Sequence, residues 1–220
     1  MDNSTGISPE MVSKAELRQI VRAHRSTLSD TRRAARDRAR AEVVVAALRH
    51  QLSSGQFEGG QLTVAGYAAV VPEPDLGPLF ERLTPLIGWL LPALRPRPGR
   101  AAGQPDWAVW DGRSKLVSTW RGIPEPTAPP LGAAGLAAAD VILLPGLAGT
   151  RGGARLGSGG SWYDWALAQA RPQARRWLLL NSEEVVAELP TDQWDEPVDA
   201  LVTEMGLIAC PDRLGDVLLS

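Results

Sequence analysis

Apolar positions along this chain follow two periods, and the change between them marks its organisation. Ser13 followed by Glu16 is a capping box, and Leu17, Ile20, Val21, His24 and Leu28 then recur at helical spacing. The spacing predicts a first helix over 14–28. Ser29-Asp30-Thr31 restarts a second, Arg-rich helix running to residue 53, and Gly55 through Gly60 reads as a loop. From Leu62 the pattern shortens. Leu62 to Val70 is an apolar run of the kind a buried strand shows, ending at Pro72-Glu73-Pro74-Asp75, with a helix expected over 76–84. Gly88 to Leu94 is a second such run, followed by a Pro/Arg-rich loop from Arg95 to Gly103. Trp107–Asp111 and Lys115–Trp120 read as a strand pair turning at Asp111-Gly112, and 121–139 as a long connection over the surface. Asp140-Val141-Ile142-Leu143-Leu144-Pro145 is the cleanest buried strand. A Gly-dense loop follows over 146–160, then a helix over 161–170, and Trp177–Leu180 and Ala200–Thr203 are two more short apolar runs.

Strands alternating with helices predict an α/β fold with an open, mainly parallel sheet covered on both faces. Residues 1–12 carry no pattern and read as a flexible leader; residues 13–220 read as one α/β domain, a size that buries a real core. Apolar residues are 44% and charged residues 22% of the 220, which is ordinary globular usage. Prolines cut the apolar runs well short of the roughly 20 residues a membrane helix needs. Met1-Asp2-Asn3-Ser4 shows neither a basic start nor an apolar core, so no signal peptide is expected and the protein is expected to be cytoplasmic. One cysteine, Cys210, can neither staple the chain nor build a metal cluster, and is expected as a small buried residue.

Charge changes the picture because it is uneven. The net charge is −2, but residues 14–50 hold ten Lys or Arg against four Asp or Glu. Lys14, Arg18, Arg22 and Arg25 fall at helical spacing and form a cationic stripe beside the apolar one. A solvated face, a nucleic-acid surface and a site for a compact polyanion such as ATP all remain open from that stripe. Nearby aromatics for base stacking are absent, which speaks against nucleic acid.

The segment from Gly146 to Asp164 follows a buried strand and opens into a helix, the place where an α/β sheet takes a ligand. Its glycines let backbone N–H groups approach an anion closely. It is neither a GxxxxGK[ST] loop nor a GxGxxG loop. Asp164 closes this segment and Asp195 lies on a late loop; two carboxylates with phosphate oxygens make a standard Mg²⁺ shell. Glu73, held between two prolines after a buried strand, is placed to bind a polar ligand head.

With these blocks in order, the chain resembles the 5-formyltetrahydrofolate cyclo-ligase family. The resemblance rests on Lys14, Arg18 and Arg25 of the first helix, Glu73-Pro74-Asp75-Leu76, Ile123-Pro124-Glu125-Pro126, the long stretch from Asp140 to Asp164, and Leu189-Pro190, Asp195, Asp199 and Thr203-Glu204. It implies a three-layer α/β/α fold and ATP-dependent closure of 5-formyltetrahydrofolate to 5,10-methenyltetrahydrofolate. It further implies that Lys14, Arg18, Arg155, Leu156, Gly157, Ser158, Gly159, Gly160, Ser161, Trp162 and Tyr163 hold ATP. Lys14, Arg155 and Tyr163 would act in catalysis, Glu73 and Tyr163 would bind the folate, and Asp164 and Asp195 would hold Mg²⁺. The partners implied are the folate substrate alone, without nucleic acid or membrane, in a monomer or weak dimer. Six positions depart from the family's pattern: Gly149-Thr150 for Phe-Asp, Ser161 for a glycine, Leu76 for Thr, Trp165 for Arg, and Glu184 where a Gln is common. The alternative is a paralogue of the same fold that binds ATP–Mg²⁺ but acts on another substrate or serves as a regulator.

Overall fold

The capping box closes as its residue types require: the Glu16 amide donates to Ser13 Oγ (3.3 Å) and the Ser13 amide to Glu16 Oε2 (2.9 Å). Helix α1 (Lys14–Thr27) follows, then α2 (Asp30–Ser53). The computed structural model describes residues 12–53, 61–84 and 86–211. The expected loop at 55–60 and all but the last residue of the expected leader lie outside the described residues. The chain continues through β1 (Thr63–Ala65), α3 (Gly77–Leu83), β2 (Gly88–Pro92), β3 (Trp107–Trp110), β4 (Val117–Ser118) and β5 (Pro124–Glu125). Next come β6 (Val141–Pro145), β7 (Ala148–Thr150), β8 (Arg155–Leu156), α4 (Trp162–Leu167), β9 (Arg175–Leu179), β10 (Val185–Val186), β11 (Ala200–Thr203) and β12 (Gly206–Ala209).

Seven strands form the main sheet in the order β12-β11-β9-β6-β1-β2-β3. The inner strands run parallel, and β12 and β3 pair antiparallel at the two edges. Side chains of β6 alternate across it. Val141 and Leu143 pack with Val44 and Leu48 of α2 and Leu79 of α3, while Ile142 and Leu144 pack with Ala166 and Leu167 of α4. Both faces are therefore covered, as continuous apolar strands demand. The small sheet β10-β7-β8 grows from the carboxyl end of β6, and α1 lays Leu17 and Val21 on its Ala148 and Leu156.

Several elements differ from the pattern's prediction. Trp107–Trp110 pairs with β2 instead of with 115–120, and Val117–Ser118 pairs with Pro124–Glu125. The Asp111 carboxylate accepts the Arg113 and Ser114 amides, which turns the chain out of the sheet before a hairpin can continue. The 121–139 connection is not all surface: Glu125 and Leu136 are both fully buried. The Gly-dense segment is not one loop but the two strands β7 and β8 around a turn closed by Thr150 and Ala154, because its alternating Ala148 and Leu156 find an apolar partner in α1. The strand from Leu62 stops at Ala65 and the helix at 161 stops at Leu167. On α1, Ile20 is exposed and Arg25 is buried, so the apolar stripe is narrower than its spacing suggests.

Leu143 is fully buried at the centre of the sheet, so Leu143→Ala should cost about 2–5 kcal/mol of unfolding free energy. Val109→Ala, at an exposed position of edge strand β3, should stay within about 0.5 kcal/mol of the parent in the same urea titration.

Candidate functional site

The cationic stripe of α1 lies against the Gly-rich segment. Arg18 Nε donates to Gly157 O and Arg22 Nη2 to Ser158 O, each at 2.9 Å. Lys14 Nζ donates to Asp192 Oδ2 and Asp195 Oδ2, each at 2.7 Å. Arg25, the next cation of the stripe, turns inward. Its Nε and Nη2 hold Glu184 Oε1 (2.7 Å) and Oε2 (2.6 Å), and Nη2 also holds Gly146 O (2.6 Å). Both partners are 2% exposed, and a buried charge of either sign is tolerated only when paired in this way.

These contacts enclose one side of a cavity of about 560 Å³. Lys14, Glu73, Arg155, Gly157, Ser158, Gly159, Gly160, Ser161, Trp162, Tyr163, Asp164 and Asp195 all line it. The sequence-nominated residues therefore converge, with two corrections. Leu156 is buried against Val21 and Leu147, so its side chain serves packing and does not reach the cavity. Arg18 does not line the cavity either, because its guanidinium is engaged by Gly157 O and lies against Gly159. Sequence reasoning missed other lining residues, which include Tyr67, Pro92, Leu94, Trp120 and Ile123. Ile123 belongs to one of the motifs that carry the resemblance; the sequence signal of the others is apolar character, which every core residue shares.

Asp164 Oδ1 accepts Arg155 Nη2 and the Glu196 amide (3.3 Å), and Asp195 Oδ2 accepts Lys14 Nζ and the Asp192 amide (2.8 Å). These bonds fall on one oxygen of each carboxylate, so the pair retains oxygen donors of the hard kind a divalent cation takes. Burial alone would pull the Lys14 ammonium down, but hydrogen bonds to Asp192 and Asp195 carry its pKa above the ordinary 10.5. Burial pushes the Asp195 carboxyl up, and the Lys14 bond with the Asp192 amide brings it below the ordinary 3.8. Both groups of this pair are charged at neutral pH. Burial, reinforced by the Glu73 charge, drives the Tyr163 phenol above its ordinary range and keeps it a neutral O–H donor. Burial also raises the Glu73 carboxyl above 4.5, against the pull of the Val70 amide (3.0 Å) and the Arg25 charge. Ser161, the residue before α4, sits in left-handed backbone at φ 48° without a capping bond from its side chain.

Most of the departures lie away from the cavity. Leu76 is core at the start of α3, Trp165 is exposed on α4, and Thr150 closes the turn with Ala154. A Cβ on Gly149 would come within 2.9 Å of Leu201 and Leu178, so those leucines fill the place of a larger side chain. Of the departing residues, only Ser161 lines the cavity.

A family model described as the 5-formyltetrahydrofolate cyclo-ligase family matches residues 10–204. The chain belongs to this family. It is 35% identical over 202 residues to a 5-formyltetrahydrofolate cyclo-ligase of Mycolicibacterium smegmatis, covering 90% of this chain and 97% of that relative. The Escherichia coli cyclo-ligase is 30% identical over 152 residues, covering 64% of this chain and 77% of its own. Among solved structures, the Aquifex aeolicus 5,10-methenyltetrahydrofolate synthetase superposes with a TM-score of 0.70 at 30% identity, over 90% of this chain and 93% of that one. A Mycoplasma pneumoniae 5,10-methenyltetrahydrofolate synthetase shares the fold with a TM-score of 0.65 at 18% identity, over 88% of this chain and 99% of that one.

Within this cyclo-ligase framework, two substitutions probe the cavity's strain and charge. A folded-state pKa above the unfolded one means that Glu73 favours folding below about pH 4.5, and that this contribution is lost as pH rises through the raised value. Glu73→Gln should thus raise the melting temperature at pH 7, with the gain shrinking below pH 4.5 in a series of thermal melts. Ser161→Gly relieves a left-handed backbone and should stabilise by about 0.5–1 kcal/mol in chemical denaturation.

Proposed function

We propose that this chain closes 5-formyltetrahydrofolate to 5,10-methenyltetrahydrofolate at the expense of ATP, releasing ADP and phosphate. The observation that carries the reading is the meeting of the α1 cations, the Gly157–Ser161 backbone and Glu73 on one cavity. The basic stripe is occupied by loop carbonyls and by Asp192 and Asp195, which removes the motive for a nucleic-acid surface. Among the described residues no helix is long and apolar enough to cross a membrane. A cytoplasmic monomer or weak dimer is the corresponding assignment.

In this reading the formyl oxygen attacks the γ-phosphorus of ATP and the bond to the bridging oxygen of ADP breaks. N10 then attacks the activated formyl carbon and gives up its proton to the departing phosphate. The carbon–oxygen bond breaks, phosphate departs, and the methenyl bridge between N5 and N10 carries the positive charge. Phosphoryl transfer asks for positioning and charge neutralisation more than covalent help, and the chain's residues supply both. Lys14 and Arg155 offer fixed positive charge to the transferred group. The amides of Gly157 to Ser161 wrap its oxygens; Gly160 has open space on its Cβ side, and Gly159 takes the positive φ of 106° that a side chain would oppose. Arg18 and Arg22 hold that loop in place through Gly157 O and Ser158 O. Neutral Tyr163 donates its O–H to the substrate, and Glu73 accepts from the pterin ring's N–H groups. Asp164 and Asp195 would hold Mg²⁺, which neutralises phosphate charge when bound.

Purified protein given Mg–ATP and 5-formyltetrahydrofolate should show ATP-dependent growth of the product's ultraviolet absorbance. Lys14→Ala and Asp164→Ala should each lower kcat/KM by about 10²-fold or more, whereas Glu73→Gln should raise KM for the folate with a smaller effect on KM for ATP. Binding of ATP without any change in the folate would overturn the assignment in favour of a regulator or another substrate.

A further inference from the structure

Five cationic side chains line the cavity: Lys14, Arg22, Arg25, Arg121 and Arg155. Four already hold an oxygen of the protein. Lys14 holds Asp192 and Asp195, Arg22 holds Ser158 O, Arg25 holds Glu184, and Arg155 holds Asp164 and Glu196 O. Among the described residues Arg121 has no such oxygen partner. Its guanidinium carbon lies 4.5 Å from the centre of the Trp120 ring, an attraction that leaves its N–H donors available around the edge.

The placement of this pair is built. Arg121 and Trp120 form the tip of the hairpin between β4 and β5, closed by the Thr119 amide on Ile123 O (3.2 Å) and the Ile123 amide on Trp120 O (3.1 Å). Arg121 itself holds left-handed backbone at φ 54°, a conformation that a side chain of its size enters only when the turn imposes it. A Cβ on Gly103 would come within 2.6 Å of the Trp120 ring, so the indole lies flat against that glycine. At the hairpin's root, fully buried Glu125 accepts the Leu94 and Arg95 amides and pairs with the Arg95 guanidinium (2.7 Å). The exposed cation thus sits on a fixed mount among the apolar lining residues Pro92, Leu94, Trp120 and Ile123.

We propose that Arg121 is a specificity-determining residue that receives a carboxylate of the substrate's glutamate tail. The inference rests on the folate reading above. With the pterin at Glu73 and the triphosphate at the Gly-rich segment, the tail carboxylates are the remaining anions of the two substrates. A forked guanidinium matches a carboxylate in charge and geometry.

Calorimetric titration without turnover tests this, using 5-formyltetrahydrofolate and its α,γ-diamide as ligands. Arg121→Gly is the informative variant, because glycine accepts φ 54° and removes only the charged side chain. The parent should bind the acid about five- to tenfold more tightly than the diamide, Arg121→Gly should bind the two within about twofold, and Arg121→Lys should fall between. The affinity for Mg–ATP should stay within about twofold of the parent's in all three. An acid preference retained in Arg121→Gly, or absent in the parent, overturns the proposal. So does a loss of ATP affinity with the acid preference intact, which would assign the guanidinium to phosphate. A parent that binds neither folate overturns the folate reading itself, and this proposal with it.

Discussion

The buried ion pair between Arg25 and Glu184 is the contact on which the rest of the site depends. Arg25 reaches through α1 to bind Glu184 and Gly146 O, and thereby anchors the helix to the residue where β6 ends. Glu184 also accepts the Asn181 amide and its Nδ2, so one carboxylate gathers α1, the end of β6 and the chain after β9. With α1 fixed there, Lys14, Arg18 and Arg22 project from its earlier turns onto the Gly-rich segment and Asp195. The pair also accounts for one departure from the family's pattern. A glutamine at 184 would leave a buried guanidinium without a counter-charge, whereas Glu184 neutralises Arg25 with two hydrogen bonds.

The polar network extends further from that anchor. Asn181 Oδ1 accepts Arg40 Nη2 (2.9 Å), Arg40 Nη1 holds Asp37 (2.6 Å), and Asp37 accepts the Asp75 amide (3.1 Å). Asp75 lies two residues beyond Glu73. The residues assigned to the nucleotide and those assigned to the folate are therefore seated on one connected framework, with α2 as its spine. Burial raises the Asp37 carboxyl against the pull of Arg40, which marks how far this framework runs from solvent.

The cavity divides by chemistry as well as by element. The Gly-rich backbone, Lys14 and Arg155 make the charged part of the lining; Pro92, Leu94, Trp120 and Ile123 make an apolar part. A bipolar substrate pair, a polyanion and a flat heterocycle with an acidic tail, suits such a division. Ser161 is the one departure within it, and the left-handed backbone it adopts is the conformation that a glycine at this place would supply without strain.

Much of this was legible in the chain. Val141–Pro145 as a buried strand and the capping box at Ser13 follow from local pattern, because burial periodicity and cap chemistry are written in neighbouring residues; Lys14, Glu73, Tyr163 and Asp164, nominated by loop chemistry or by the family resemblance, line one cavity. The partners of strands were not. Trp107–Trp110 joins β2, and Val117–Ser118 joins Pro124–Glu125, because pairing is decided by the turn at Asp111 and by which edge is open, neither of which periodicity reports. Arg25 reads in the sequence as a cation of the stripe and of the family's first motif, and Glu184 as a departure from a common Gln; separated by 159 positions, they show their pairing only when the fold removes water from both. The sequence by itself determined the elements and the chemical inventory. The tertiary structure alone decided which cations of the cavity hold the protein's own oxygens and which, like Arg121, hold none among the described residues, since that depends on distances between segments far apart in the chain.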